Sequence, residues 1–157
     1  MPNELDPERA DALMALALED ARAALAHDDV PVGAVVARLS DGAVVARAHN
    51  ERERQGDPTA HAEVLALRAA AETIDGWRLR DHALVSTVEP CPMCAGAAWA
   101  ARVAVIVFGA ADPRAGASGS LYNFAADPRL NHEITVVPGV RATDCATLVE
   151  EFFAARR

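Results

Sequence analysis

Apolar positions along the chain switch between a helical period and a strand period, and the switches mark its elements. Asp6-Pro7-Glu8 reads as an N-cap, a first-position proline and an acidic first turn. Leu13, Leu16, Ala17, Ala24 and Leu25 then recur near one face, predicting an amphipathic helix that runs to about His27. Val30 to Arg38 is rich in β-branched residues and predicts a strand, with Gly33 inside it marking a close backbone approach. Ser40-Asp41-Gly42 turns the chain, and Ala43 to His49 returns as the hairpin partner. The polar stretch Glu51 to Pro58 reads as a loop, after which Asp57-Pro58-Thr59 supplies caps for a helix to about Thr73. Leu84 to Val88 is a short buried strand. A helix beginning at Pro92 and running to about Ala101, then a second buried strand, Val103 to Phe108, come next. Gly109 to Ser120 is rich in glycine, alanine and serine and reads as a loop. A short helical piece at Leu121 to Ala126, a strand at Ile134 to Val137 and a helix from Ala142 to Arg157 follow. That last helix carries Cys145, Leu148, Val149 and Phe152 at i, i+3, i+4 and i+7.

Strands alternating with helices predict a three-layer α/β domain whose mixed sheet begins with an antiparallel hairpin. Neither a repeat nor a linker divides the 157 residues, so one domain over 1–157 is expected. With 52% hydrophobic and 24% charged residues the balance is that of a globular protein. A net charge of −8 argues against a generally basic nucleic-acid binder. All 15 basic residues are arginine, which leaves room for a local patch. Three cysteines make no disulfide framework, the start of the chain is acidic, and no run approaches the ~20 apolar residues of a membrane span. A cytoplasmic protein without a membrane anchor is the expectation.

The candidate chemistry lies in two short stretches, His61-Ala62-Glu63 and Pro90-Cys91-Pro92-Met93-Cys94. Cys91 and Cys94, three apart on the first turn of a helix, point their sulfurs the same way. With His61 they make three ligands of the types zinc accepts, and the fourth tetrahedral position stays open for water, as in a catalytic site. A structural zinc would instead need a fourth protein ligand, for which Cys145 and His132 are the candidates. Helix N-termini at both stretches would favour thiolate over thiol. Residues two apart on a helix diverge by about 200°. His61 and Glu63 can therefore share a site only at the end of a helix, where Glu63 would handle protons while zinc activates water. Cys145 reads as core, and His27 and His82, lacking partners at ligand spacing, read as surface or internally satisfied histidines.

H-x-E paired with P-C-x-x-C is the pattern of zinc nucleobase deaminases. Beyond it, the sequence closely resembles bacterial tRNA adenosine deaminases of the TadA type over nearly its whole length. Val30 to Val35, His49-Asn50, Asp57 to Glu63, Glu89 to Gly96, Val107 to Ala110, Ala115 to Leu121, Asn131-His132, and Phe152-Phe153 with Arg156-Arg157 carry the likeness. The resemblance implies a cytidine-deaminase-like α/β/α sandwich with a five-stranded mixed sheet, one zinc per chain and a homodimer. It implies conversion of adenosine to inosine at the wobble position of a tRNA anticodon, tRNA-Arg in particular. By the same likeness Asn50, the Ala62 backbone and Val32 would meet the flipped base. Asp112 and Asn131 would contact flanking nucleotides, and Phe153, Arg156 and Arg157 would hold the anticodon stem-loop. Glu133 stands where the family often carries a basic residue and Ala111 where some members carry arginine, which lessens positive charge on the expected RNA face. The competing readings are a zinc deaminase of a free nucleobase or nucleoside such as guanine or cytosine, and a non-catalytic zinc-stabilised binding module.

Overall fold

In the computed structural model, which describes residues 4–157, five strands form one mixed sheet in the order β2-β1-β3-β4-β5. The strands are β1 (Gly33–Arg38), β2 (Val44–His49), β3 (His82–Val88), β4 (Val105–Ala110) and β5 (Thr135–Val137). β1 runs antiparallel to both β2 and β3, whereas β3, β4 and β5 are parallel. The helices are α1 (Pro7–Ala23), α2 (Arg52–Gln55), α3 (Ala62–Ile74), α4 (Pro92–Ala100) and α5 (Ala142–Ala154), and a 3₁₀ turn, Ala24–His27, extends α1.

Alternation along the strands builds the three layers. Ala34 and Val36 face α3 and α4, where they pack with Ala66, Leu67, Leu84, Ala98 and Ile106. Val35 and Ala37 point the other way and pack with Leu13, Met14 and Ala17 of α1 and Cys145 of α5, together with Val85 and Val107. One-residue alternation thus feeds two cores, one on each side of the sheet. Gly33 allows α1 to sit close on β1: a Cβ there would collide with the Ala17 carbonyl, which is the close approach expected of that glycine.

The pairing places four chain segments at one end of the sheet. Because β1 is antiparallel to its neighbours, the approach to its start at Gly33 lies beside the exit of β2 at His49. The exits of β3 at Val88 and of β4 at Ala110 pair with each other at the same end. In sheets with parallel strands, this carboxyl-terminal rim is where ligands bind.

Three local expectations need correction. The helix expected to start under an Asp57-Thr59 cap begins at Ala62 with His61 as its N-cap residue. Asp57 Oδ1 instead accepts from both Thr59 N and Thr59 Oγ1 at 2.8 Å, closing a turn. The polar loop after β2 contains α2, whose Glu53 and Arg54 N–H groups donate to the distant Asp29 carboxylate. Leu121 to Ala126 is not helical. It folds back through a Ser118–Asn123 bridge and a bond from Phe124 N to Ala117 O, so its backbone pairs with the preceding loop. Among the described residues no helix is long and apolar enough to cross a membrane.

Candidate metal centre and substrate pocket

Both motif stretches supply helix starts at the rim. His61 is the N-cap of α3, placing Ala62 and Glu63 in its first turn. Cys91 is the N-cap of α4, with Pro92 at the first helical position and Cys94 two residues further in. The expectation that His61 and Glu63 meet at a helix end therefore holds. His61 Nδ1 lies 3.7 Å from Cys91 Sγ and 3.4 Å from Cys94 Sγ. Tetrahedral zinc at ordinary bond lengths separates a nitrogen and a sulfur ligand by about 3.6 Å, so this donor set fits the ion. Neither candidate for a fourth protein ligand joins it. Cys145 is buried on the far side of the sheet, and His132 Nε2 lies 2.7 Å from the Val103 carbonyl. Three ligands with one side open remain, the arrangement of a catalytic centre.

Electrostatics at the centre suit metal and proton chemistry. Hydrogen bonds from the Cys94 thiol, then from His61 and the Cys94 N–H, hold the Cys91 thiol down to about 4. The Cys94 thiol is pushed upward by its bond to Cys91 and by burial, so the pair favours one thiolate, the form that binds metal. His61 is raised, chiefly by its contact with Cys91. Burial raises the Glu63 carboxyl above the usual range, only partly opposed by hydrogen bonding to its own N–H and by His61. A carboxyl that keeps its proton to higher pH is suited to giving and taking protons near neutrality.

A cavity of about 250 Å³ opens over these groups. His61, Glu63 and Cys91 form its floor, Asn50, Val30 and Val32 one wall, Glu89, Asp112 and Ala115 another, and Phe153 with Arg52 the mouth. Against the roughly 300–1,000 Å³ of drug-sized ligand pockets this is small, and suits one planar base. Asn50 is nearly buried and doubly anchored: its Oδ1 accepts from Ala62 N at 2.9 Å and its Nδ2 donates to Val30 O at 3.1 Å. One N–H and one lone pair stay free. The Ala62 backbone thus orients Asn50 rather than lining the cavity. Phe153 is exposed at the mouth while Phe152 is buried, dividing the aromatic pair as its helical spacing suggests.

Other expected residues lie outside the cavity. Asn131 is on an exposed loop, Arg157 is exposed at the end of the chain, and Arg156 stacks on Phe152 and pairs with Asp28. Glu89 is the residue whose role the sequence reading missed. Its buried carboxylate accepts N–H groups from Asp112, Ser118 and Ser120 at 3.1, 3.1 and 3.0 Å, as well as the Ser120 hydroxyl, and so shapes the 111–120 loop over the pocket. Gly116 leaves room for that carboxylate, with which a Cβ would collide. Position beside the cysteine motif was the available signal, but the partners are more than twenty residues away.

A buried glutamate beside a three-ligand His-Cys-Cys set, at two helix starts under the rim of a mixed sheet, defines a zinc hydrolase of the deaminase class. Residues 7–110 match the cytidine and deoxycytidylate deaminase zinc-binding region. The tRNA-specific adenosine deaminase of Bacillus subtilis is 43% identical over 141 residues, covering 90% of this chain and 86% of that protein. A structure from a study of A-to-I editing by tRNA deaminases at the wobble position of transfer RNA superposes with a TM-score of 0.82. It is 39% identical, over 87% of this chain and 98% of that one. A guanine deaminase from Nitrosomonas europaea follows at a TM-score of 0.78 and 28% identity, over 92% of this chain and 84% of its own. The chain belongs to the zinc-binding cytidine and deoxycytidylate deaminase family, among the bacterial tRNA-specific adenosine deaminases.

Proposed function

We propose that this protein is a zinc-dependent tRNA adenosine deaminase, converting adenosine to inosine at the anticodon wobble position of a cytoplasmic tRNA, tRNA-Arg foremost. It would act as one domain over 1–157, paired in a homodimer. The observation that carries the reading is Glu63, a buried carboxyl sharing one base-sized cavity with His61 and Cys91 and facing Asn50. His61, Cys91 and Cys94 hold the zinc, which when bound supplies a water activated at neutral pH. Glu63 would take one proton from the attacking water and give it to a ring nitrogen of the adenine, then take the remaining hydroxyl proton from the tetrahedral carbon and give it to the amino group, which would leave as ammonia. Asn50, fixed from both sides, offers its free N–H and lone pair to the base edge, while Val30 and Val32 exclude water from its face. Asp112 meets the nucleotide beside the flipped base, and Phe153 stacks at the mouth. Asn131, Arg156 and Arg157 serve the stem-loop beyond the pocket, Arg156 by leaving Asp28 for a phosphate.

Likeness to a guanine deaminase favours a second reading, deamination of a free base. The deciding test incubates an arginine-tRNA anticodon stem-loop carrying wobble adenosine with the protein, and digests the RNA for mass spectrometry. Guanine and cytosine are assayed in parallel, and zinc-loaded Glu63→Ala serves as the control. Inosine at the wobble position with wild type alone is expected. Its absence, with guanine or cytosine turned over, would transfer the assignment to a free-base enzyme.

A further inference from the structure

We propose that His27, His49 and Glu51 form a second divalent-metal site, separate from the His61-Cys91-Cys94 centre, that takes zinc or a similar first-row ion. The three side chains come from the 3₁₀ turn after α1, the end of β2 and the N-cap of α2, and their candidate ligand atoms all lie within 4.8 Å of one another. The His27 and His49 rings face each other at 5.1 Å, tilted by 36°.

The free nitrogens are the right ones. His27 Nδ1 lies 2.6 Å from Asp29 Oδ2, and its Nε2 is buried with no hydrogen-bond partner among the described residues. A carboxylate on one ring nitrogen and a metal on the other is how ligating histidines are usually held. His49 Nδ1 lies 3.2 Å from the Asn50 carbonyl, leaving its Nε2 to ligate. Glu51 is held by exposed partners that can leave: Arg54 at 3.1 Å on one oxygen and Gln55 at 2.8 Å on the other. Two imidazoles and a carboxylate are a donor set for zinc and its neighbours, with ligand atoms roughly 3.3 Å apart around the ion. Rotation of the Glu51 side chain, which is 21% exposed, closes the remaining gap. The Asp29 carboxylate against His27 Nδ1 adds negative charge beside the site.

Asn50 stands between two of these ligands in the chain, so an ion here braces the segment that places the base-facing amide. The site uses none of the residues at the first centre, and the two are separable by experiment.

Untagged holoprotein is dialysed against zinc chloride, and metal is counted per chain. Two zinc ions per wild-type chain are expected, falling to one in His27→Asn and in His49→Gln. Cobalt substitution separates the sites. The first equivalent should give sulfur-to-cobalt charge-transfer absorption from Cys91 and Cys94, and the second should add only weak visible bands. Retention of the charge-transfer band shows that a variant is folded. Glu51→Gln, which keeps the side chain's shape, should weaken the second equivalent at least tenfold without touching the first. A wild-type count that stays at one, or a second equivalent that persists in these variants, overturns the proposal.

Discussion

Glu63 and Asn50 face the same cavity but depend on different physics. Glu63 is a buried carboxyl whose raised affinity for protons comes first from loss of solvent. Glu63→Gln keeps its shape and removes the proton exchange, so turnover should fall by about 10²–10⁴. Zinc content should stay at the wild-type value, as metal analysis of the same sample would check; a variant that keeps wild-type turnover removes Glu63 from the chemistry. Asn50 is also a structural tie, since its amide satisfies the Ala62 N–H and the Val30 carbonyl. Asn50→Ala should therefore cost activity and also roughly 1–3 kcal/mol of stability, because two buried backbone groups lose their partner. Denaturant unfolding reads that second effect, and an unchanged midpoint would mean that water replaces the amide. Asn50→Asp separates the two roles: it keeps the acceptor for Ala62 N while losing the donor to Val30 O.

At the level of elements, what was legible in the sequence was whatever is written locally. The strand and helix periods located every named strand and all helices but α2, with ends displaced by a few residues, because alternate burial on two sheet faces is a local pattern. His61, Cys91 and Cys94 were legible because a metal demands particular donor atoms at particular spacing. The parts that were not legible depend on partners far along the chain. α2 forms because Asp29, more than twenty residues earlier, receives the N–H groups of Glu53 and Arg54, and Glu89 builds its loop from residues 112 to 120. Burial pushes the Asp29 carboxyl upward, but those two N–H groups and His27 outweigh it and hold it below its usual value. A depressed folded value means stability that is present above the unfolded carboxyl pKa of ~3.9 and lost as pH falls through the folded one. Asp29→Asn should thus be less stable than wild type by about 1.5–3 kcal/mol at pH 7. The gap should narrow from about pH 4 downward, when both proteins are unfolded in urea across that range. A gap that does not change with pH would show that shape rather than charge organises α2.

Over the whole molecule, an acidic chain of net charge −8 is asked to approach a polyanion, so where its arginines are free matters more than how many it has. Several of those away from the pocket are spoken for: Arg9, Arg38, Arg47, Arg129 and Arg141 each pair with an acid on the chain's own surface. Arg52 at the mouth of the cavity and Arg114 on the adjoining groove beside Phe153 are exposed and have no acidic partner among the described residues. Their charge is available to phosphates at the place where a flipped nucleotide would enter. Each phosphate contact on a single-stranded loop contributes about −0.7 to the slope of log affinity against log salt. Replacing Arg52 and Arg114 together by alanine should flatten that slope by about 1.4 and raise KM for the stem-loop. Turnover at saturation should stay near wild type, since neither residue touches the reacting atoms. Arg38→Ala, which breaks a hairpin pair at the end of the sheet opposite the rim, should leave the slope alone. Titrations at several salt concentrations would read both variants. An unchanged slope in the double variant would move the phosphate contacts to Arg156 and Arg157 of the C-terminal tail, and an Arg38 effect as large would mean that RNA responds to net charge and not to a patch.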